Sequence, residues 1–238
     1  MSFDNKIEFT KENIDLYLKD LAYEYRKMSK HRESTEIILV GGASILINYG
    51  FRNMTSDIDA IIHSTSLMKE AINHVGERYN LPTGWLNQDF VMTQSYSSTL
   101  IRISKYYKNY FGVLTVRTVD AEYLIAMKLK SGRQYKSDLS DIIGILSEHS
   151  KHNNPITLDQ IKKAVIELYG KWEALPASSC DFIINILKNN DYETMYEQIV
   201  HQEHENKSLL INFENDYPNV LEESNVDEII NKLQNKNK

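Results

Sequence analysis

A single cysteine, Cys180, stands among 238 residues, so neither an intrachain disulfide nor a cysteine-rich zinc site can be built. Long hydrophobic runs are also missing. No apolar stretch approaches the roughly 20 residues that a transmembrane helix needs, and the leading MSFDNKIEF is polar rather than signal-like. The expectation is a cytoplasmic protein without a membrane segment. The chain shows no Walker-type phosphate loop, no GxSxG elbow, no HExxH helix and no internal repeat. Chemistry therefore has to come from sparser patterns.

What is present is ordinary in bulk and uneven in detail. Hydrophobic residues make up 42% and charged residues 25% of the chain, which are globular values. The length allows one core domain with a helical appendage. A net charge of −6 argues against a general duplex-binding surface. Between Arg102 and Lys136, however, lie eight basic residues (Arg102, Lys105, Lys108, Arg117, Lys128, Lys130, Arg133, Lys136) and two acidic ones (Asp120, Glu122), so this segment carries +6 and the remainder −12. Such a positive region suits a nucleoside triphosphate or an RNA end. Solvated lysines clustered by chance are the alternative.

The most specific stretch is 36–62, EIILVGGASILINYGFRNMTSDIDAII. Glu36 to Val40 is a β-branched apolar run that predicts a buried strand. Gly41 and Gly42 follow, and Ala43 to Tyr49 reads as a helix. Glycines between a strand and a helix start let an anion approach backbone N–H groups at the positive end of the helix dipole, though the same pair also makes a plain tight turn. Ile58, Ile61 and Ile62 mark a second strand through Asp57-Ile58-Asp59. Residues i and i+2 of a strand share a face, about 6.5–7 Å apart. Asp57 and Asp59 on one face can hold divalent cations of the kind used for phosphoryl displacement. A solvated turn opening on a capping aspartate is the bland alternative.

Gly-Gly and Asp-x-Asp, separated by a helix-length spacer, resemble the signature of the polymerase-β-type nucleotidyltransferase superfamily. More narrowly, Leu39-Val40-Gly41-Gly42, Gly50-Phe51-Arg52, Thr55 and Asp57-Ile58-Asp59 resemble uncharacterised bacterial nucleotidyltransferases related to the AbiEii toxins. The spacer Ala43 to Ser56 is slightly longer than usual for the superfamily, and Gly50 to Thr55 can absorb the excess as a loop. A second part of the resemblance is Glu122-x-Leu124-x-x-x-Lys128, then Arg133 and Asp138-x-x-Asp141-Ile142. At those positions Lys128 would meet a triphosphate as a point charge, Arg133 would clamp it bidentately, and Asp138 or Asp141 would orient them. An Arg133–Asp138 or Arg133–Asp141 ion pair bracing two helices is the structural alternative, and both readings can hold together.

Elsewhere, Thr10 caps a helix carrying Ile14, Tyr17, Leu18, Leu21, Ala22, Tyr25 and Met28 at helical spacing. Ser66 to Tyr79 reads as another helix. Pro82 and Gly84 mark a turn before Trp85, which is either core or a base-stacking platform. Residues 98–118 read as two strands about a polar turn, with Ile101 and Ile103 in the first. Tyr106, Tyr107, Lys108 and Tyr110 form either a stacking patch for a single strand or a tyrosine-rich hairpin tip. From Asn153 onward the pattern is helical, with segments over 157–168, Cys180 to Leu187, Tyr192 to Glu205 and Asn225 to Gln234. His201, His204 and Glu205 lack the further ligand a metal site needs.

The fold class expected is α/β (α+β): a small mixed sheet flanked by helices over 1–150, with a helical C-terminal region over 151–238. The resemblance implies transfer of an NMP from an NTP to an acceptor hydroxyl on RNA such as tRNA, on protein or on a small molecule. It implies Mg²⁺ or Mn²⁺ on Asp57 and Asp59, and NTP phosphates cradled by Gly41, Gly42 and Ser44 with help from Lys128 and Arg133. It further implies a toxin–antitoxin role with a cognate antitoxin, or a homo-oligomer, as partner. One expected part is not found. No third strand carboxylate stands out, Asp89, Asp120 and Glu122 being the candidates. A catalytically inactive nucleotide- or protein-binding module on the same fold is the alternative.

Overall fold

A computed structural model describes residues 8–30, 33–63, 65–222 and 225–236, so most of the polar N-terminal stretch lies outside them. In chain order the elements are α1 (Lys11–Met28), β1 (Thr35–Leu39), α2 (Gly41–Asn48), β2 (Ile58–Ile62), α3 (Ser66–Tyr79), β3 (Leu86–Asn87), α4 (Thr99–Ile103), β4 (Lys105–Tyr110) and β5 (Leu114–Thr118). They are followed by α5 (Ala121–Ser131), α6 (Asp138–Lys151), α7 (Leu158–Tyr169), α8 (Ala177–Asn189), α9 (Tyr192–Asp216) and α10 (Val226–Lys236). The architecture is the mixed α/β one expected, with a helical C-terminal region. Among the described residues no helix is long and apolar enough to cross a membrane.

The chain forms two compact units, whose bounds differ from a single cut at 150. Among the described residues, one comprises 8–127 with 159–174, and the other 128–158 with 175–236. Helix α7 belongs with the first, where the Glu167 carboxylate accepts from Tyr123 Oη at 2.6 Å and Tyr169 Oη donates to the Ser95 carbonyl at 2.8 Å. Burial and the Glu167 carboxylate together push the Tyr123 phenol up to about 12.

The first unit is built on a five-stranded sheet in the order β3-β2-β1-β5-β4. The β1/β2 and β4/β5 pairs are antiparallel, whereas β1/β5 and β2/β3 are parallel. Central β1 is buried on both faces: Ile37 and Leu39 join the main apolar cluster, and Ile38 between them is buried as well. That cluster takes Ile14, Leu18, Leu21 and Tyr25 from α1, and Met68, Ala71 and Val75 from α3. Thr10 caps α1 reciprocally with Asn13, so an amide fills the place that Glu or Gln usually takes in this motif. Trp85 is core, with its indole N–H donating to the Ile72 carbonyl at 3.0 Å.

Several boundaries depart from the sequence pattern. Ile101 and Ile103 lie on α4, one helical turn whose only buried residue is Leu100. The strand begins after them at Lys105, so their alternation with Arg102 and Ser104 is not a strand signal. Helix α9 runs eleven residues past Glu205, to Asp216; its buried positions include the polar Glu203 and Asn206, which break the apolar periodicity. Helix α8 starts at Ala177, three residues before Cys180, with Pro176 at its N-cap. Strand β3 follows the turn at Pro82 and Gly84, at a position the sequence pattern gives no strand.

The second unit explains the polar residues of α9. Ser137 at the α6 N-cap supplies no side-chain hydrogen bond. Glu203 Oε1 instead accepts from the backbone N–H groups of Leu139 and Ser140 at 3.1 and 3.2 Å, doing from 63 residues away what a local cap does elsewhere. Asn206, fully buried, donates to the Gln134 carbonyl at 2.9 Å and accepts from Gln234 at 2.7 Å. The apolar residues Tyr135, Leu210, Leu221, Val226 and Ile230 close around these ties.

Burial, reinforced by Asp141, raises the Glu203 carboxyl to about 7, despite the two backbone donors. A carboxyl whose folded pKa exceeds its unfolded value stabilises the fold fully below the unfolded value, and loses that stability as pH rises toward 7. Glu203→Gln keeps the acceptor and removes the titration. In urea denaturation, the variant is expected to match the wild type at pH 4.5 and to exceed it at pH 8 by on the order of 1–3 kcal/mol; equal profiles at both pH values refute this.

Candidate active site

The antiparallel register Leu39↔Ala60 carries the end of β1 past the start of β2. One residue on, the Val40 N–H donates to the Asp59 carbonyl at 3.0 Å. The chain then turns at Gly41, whose φ of +54° costs an L-residue roughly 1–2 kcal/mol, and enters α2 at once. The glycines themselves are thus the first turn of the helix, which begins two residues before the sequence pattern suggests. A Cβ placed on Gly41 would lie 3.6 Å from Asp59 Oδ2, so the glycine pair and the acidic pair meet at one point.

Asp57 immediately precedes β2 and Asp59 lies within it. Both are half-buried, while Ile58 between them is fully buried. The alternation continues through Ala60, Ile61 and Ile62, which puts both aspartates on the side facing away from the core. Across the parallel pair, Asp59 is in register with Asn87 of β3. The strand position beside the acidic pair therefore holds a neutral amide, and its Oδ1 accepts from the Asp89 N–H at 2.8 Å. Of the other acids considered, Asp120 pairs with Lys105. As donors, two carboxylates suit a hard cation such as Mg²⁺, which commonly takes one or two protein carboxylates and completes its shell with water and substrate phosphate. Among the described residues no group of three or more His, Cys, Asp or Glu forms a metal cluster.

Val40 provides no side-chain cap to α2, and Gly42 stands under the loop that leads back to Asp57. A Cβ on Gly42 would meet Thr55 Oγ1 at 2.6 Å, Arg52 Nη2 at 3.0 Å and Arg52 Cζ at 3.2 Å. That loop is fixed from below, since Thr55 exchanges two 2.8 Å backbone hydrogen bonds with Phe9. Ser44 does not offer its hydroxyl to this space. It is fully buried, with Oγ 2.5 Å from Thr118 Oγ1 and accepting from the Val119 N–H at 3.4 Å, so it fastens α2 to the end of β5.

The other sequence candidates form a buried ion network in the second unit. Lys128 Nζ lies 2.8 Å from both Asp138 Oδ1 and Asp141 Oδ2. Arg133 Nε donates to Asp138 Oδ2 at 2.8 Å and Nη2 to Oδ1 at 3.2 Å, a fork on one carboxylate. Burial opposes ionisation of Asp138, but the two cations overcome it and hold the carboxyl far below the usual range. The pairing alternative is thus realised, and Asp138 and Asp141 match the charges of Lys128 and Arg133.

Much of the remaining positive segment is matched as well. Lys108 and Tyr110 both reach Asp15 of α1, at 2.5 and 2.6 Å, and Arg117 pairs with Glu36 at 3.3 Å. The tyrosine-rich strand β4 is braced to α1 through Lys108 and Tyr110, with Tyr106 exposed. His201 makes an exposed contact to Glu205 at 3.6 Å, a solvated helix face.

A family model described as a nucleotidyltransferase of unknown function (DUF6036) matches residues 17–167, which takes in the whole Gly-Gly and Asp-x-Asp junction. No curated protein matches the chain, and no solved structure does.

Two substitutions probe these packings. Gly42→Ala has to displace the Thr55 hydroxyl and the Arg52 guanidinium, and is expected to cost about 1–3 kcal/mol in urea denaturation. Gly50→Ala has open space around it and is expected to be neutral; equal effects at both positions refute the close approach. Asp138→Asn strips the shared carboxylate from Lys128 and Arg133, and is expected to cost about 3 kcal/mol or more. A loss below about 1 kcal/mol in the same measurement would mean the network is not the brace described.

Proposed function

The chain belongs to this nucleotidyltransferase family, and from that premise we propose that it moves an NMP from an NTP to an acceptor hydroxyl, with Asp57 and Asp59 holding Mg²⁺ or Mn²⁺. The observation that carries this reading is the junction in which Gly41 lies against Asp59 Oδ2, at the start of a helix with no side-chain cap. An anion-binding element and a cation-binding pair adjoin there, and both are needed to receive a metal-bound triphosphate.

The backbone N–H groups at Gly41 and Gly42 would take β- and γ-phosphate oxygens, because neither residue carries a Cβ to hold the phosphates off. Asp57 and Asp59 would orient the α-phosphate through the ion they share. A divalent cation at that position supplies charge neutralisation and a lowered pKa for the attacking hydroxyl. The hydroxyl oxygen would then bond to the α-phosphorus and release its proton to solvent, the bond to the oxygen bridging the α- and β-phosphorus would break, and pyrophosphate would leave. The protein's contribution is positioning and fixed electrostatics. Lys128 and Arg133 enter this proposal as the support of α6. The acceptor class remains RNA, protein or small molecule, and the motif resemblance to AbiEii-related proteins extends the reading to a toxin–antitoxin component with a cognate antitoxin.

One observation favours a second reading, a nucleotide- or protein-binding module without turnover. The strand position beside Asp59 is Asn87, so a third carboxylate is absent from that position. Incubation with each NTP radiolabelled at the α-phosphate, with Mg²⁺ or Mn²⁺ and total cellular RNA and protein, separates the two. Transfer of label by the wild type, reduced on the order of 100-fold or more in Asp57→Ala/Asp59→Ala, is the expected outcome. Nucleotide binding without transfer in any combination would leave the binding module.

A further inference from the structure

Left-handed backbone picks out one part of the surface of the first unit. Among the described residues, the non-glycine positions with positive φ are Asn80, Asn153, Asn190 and Asn219, and besides them Lys30 and Phe111. Asparagine tolerates that conformation, whereas a lysine or a phenylalanine is strained by it. Lys30, at φ +53°, follows the Ser29 cap of α1, where glycine is usual. Phe111, at φ +54°, precedes Gly112 in the turn between β4 and β5, which the Val113 N–H closes on the Tyr110 carbonyl at 3.1 Å. Asparagine is usual at that position. Both exceptions stand on one patch. An open groove of about 530 Å³ is lined by Tyr23, Arg26, Lys27 and Lys30, and the Phe111 ring meets Tyr23 edge to face with centroids 6.4 Å apart. Tyr23 and Phe111 are 55% and 43% exposed. Lys27 and Lys30 are exposed as well, and among the described residues neither is ion-paired.

We propose that this groove binds a single-stranded nucleic acid, with the Lys27 and Lys30 ammonium groups on its phosphates and its bases stacked on Tyr23 and Phe111. An unpaired strand offers an anionic backbone together with open base faces, the two features that ammonium groups beside exposed rings can engage. An acidic peptide would use the lysines alone, and a duplex keeps its base faces stacked inside it. The negative end of the α1 macrodipole accounts for Lys27, but not for Lys30 beyond the cap or for two large rings left in water. Strain retained in bulky side chains, where a smaller residue would relieve it, is a mark of binding surfaces. The Thr35 N–H donates to the Val113 carbonyl at 2.7 Å, so the Phe111 turn adjoins the start of β1. Gly41 lies past the other end of that strand, roughly 20 Å away at the rise of a strand. The groove is thus separate from the Gly-Gly and Asp-x-Asp junction. Its assignment stands without the nucleotidyl-transfer reading, and on that reading it favours a nucleic-acid acceptor over a protein or a small molecule.

Fluorescence anisotropy on the full chain tests this with a labelled RNA strand of about 12 nucleotides, the DNA strand of the same sequence, and each annealed to its complement. The wild type is expected to bind at least one single strand, and the matching duplex about tenfold more weakly or less. The tighter strand identifies the nucleic acid. Lys30→Asn and Phe111→Asn each remove a binding group and relieve the backbone. Binding is expected to fall about fivefold or more in each, while the melting temperature holds or rises. Lys30→Asn is also expected to lower the slope of log affinity against log salt by about 0.7, and Phe111→Asn to leave it near wild type. Failure of the wild type to bind either strand overturns the proposal, as does binding within about twofold of wild type in either variant. A melting temperature that falls in both variants overturns it too, because the two residues would then be braces of the fold. Polyglutamate competing as well as the unlabelled strand overturns it in favour of an acidic peptide. Label transfer from an NTP is a separate measurement, so the nucleotidyl-transfer reading stands or falls independently.

Discussion

The antiparallel pairing of β1 with β2 is the constraint on which the rest of the site depends. Its last rung, the 3.0 Å hydrogen bond from Val40 N–H to the Asp59 carbonyl, leaves Gly41 beside the Asp59 carboxylate. Side chains on paired strands alternate with period two, so a slip of one residue would turn Asp59 into the core and Ile58 out of it. Fully buried Ile58 and half-buried Asp59 make such a slip costly in both directions. The same register disfavours a side chain at both glycines of the turn. A positive φ at Gly41 and a close approach at Gly42 follow from how abruptly the strand becomes a helix.

Charge is handled differently in the two units. Around the motif junction the carboxylates of Asp57 and Asp59 stand half-buried at the start of β2, and the guanidinium of Arg52 contacts the Met54 carbonyl and the Thr55 hydroxyl. In the second unit Lys128, Asp138 and Asp141 are buried and joined by half-buried Arg133 in one ion network, and Glu203 adds a carboxylate whose burial raises its pKa. An isolated ion taken out of water costs several kcal/mol, so such a set persists only with its members matched. Charges matched in that way make a poor first contact for a polyphosphate, because binding it would mean breaking interactions already made.

The motif strands and the α1 and α3 helices were legible because each has a local cause: β-branched runs, Thr10 as the α1 cap, apolar residues at helical spacing. Asp57 and Asp59 were legible for the same reason, since i and i+2 on a strand share a face. Ser44 was not. Its neighbour Thr118 is 74 residues away, and no spacing within the motif indicates that the hydroxyl is already engaged. Lys128 and Arg133 carried two readings that can hold together, and the distances to Asp138 and Asp141 establish the ion pairing alone. Asn87 escaped notice because a two-residue strand leaves no periodicity; its relation to Asp59 exists only in the sheet register. The full length of α9 was hidden by Glu203 and Asn206, polar residues buried because α6 and Gln134 need their hydrogen bonds. Arg52 could be read as part of a motif but not as a position, since what it lies on is a glycine ten residues earlier.

Opposite demands within a few ångströms decide what the junction can hold on the proposed reading. Two carboxylates about 6.5–7 Å apart repel by roughly 0.6 kcal/mol in water and about 2.5 kcal/mol at an effective dielectric near 20. The start of α2 offsets on the order of 0.3–1 kcal/mol of that, so it tempers the repulsion without removing it. A bare polyphosphate would meet the acidic pair, and a bare divalent cation would meet the positive end of the helix; each alone is opposed by half of the site. A cation and a polyphosphate arriving as one complex would satisfy both halves at once, the cation against Asp57 and Asp59, the phosphates against the start of α2. On that reading, the pairing of β1 with β2 would favour the metal–nucleotide complex over either component before any group reacts.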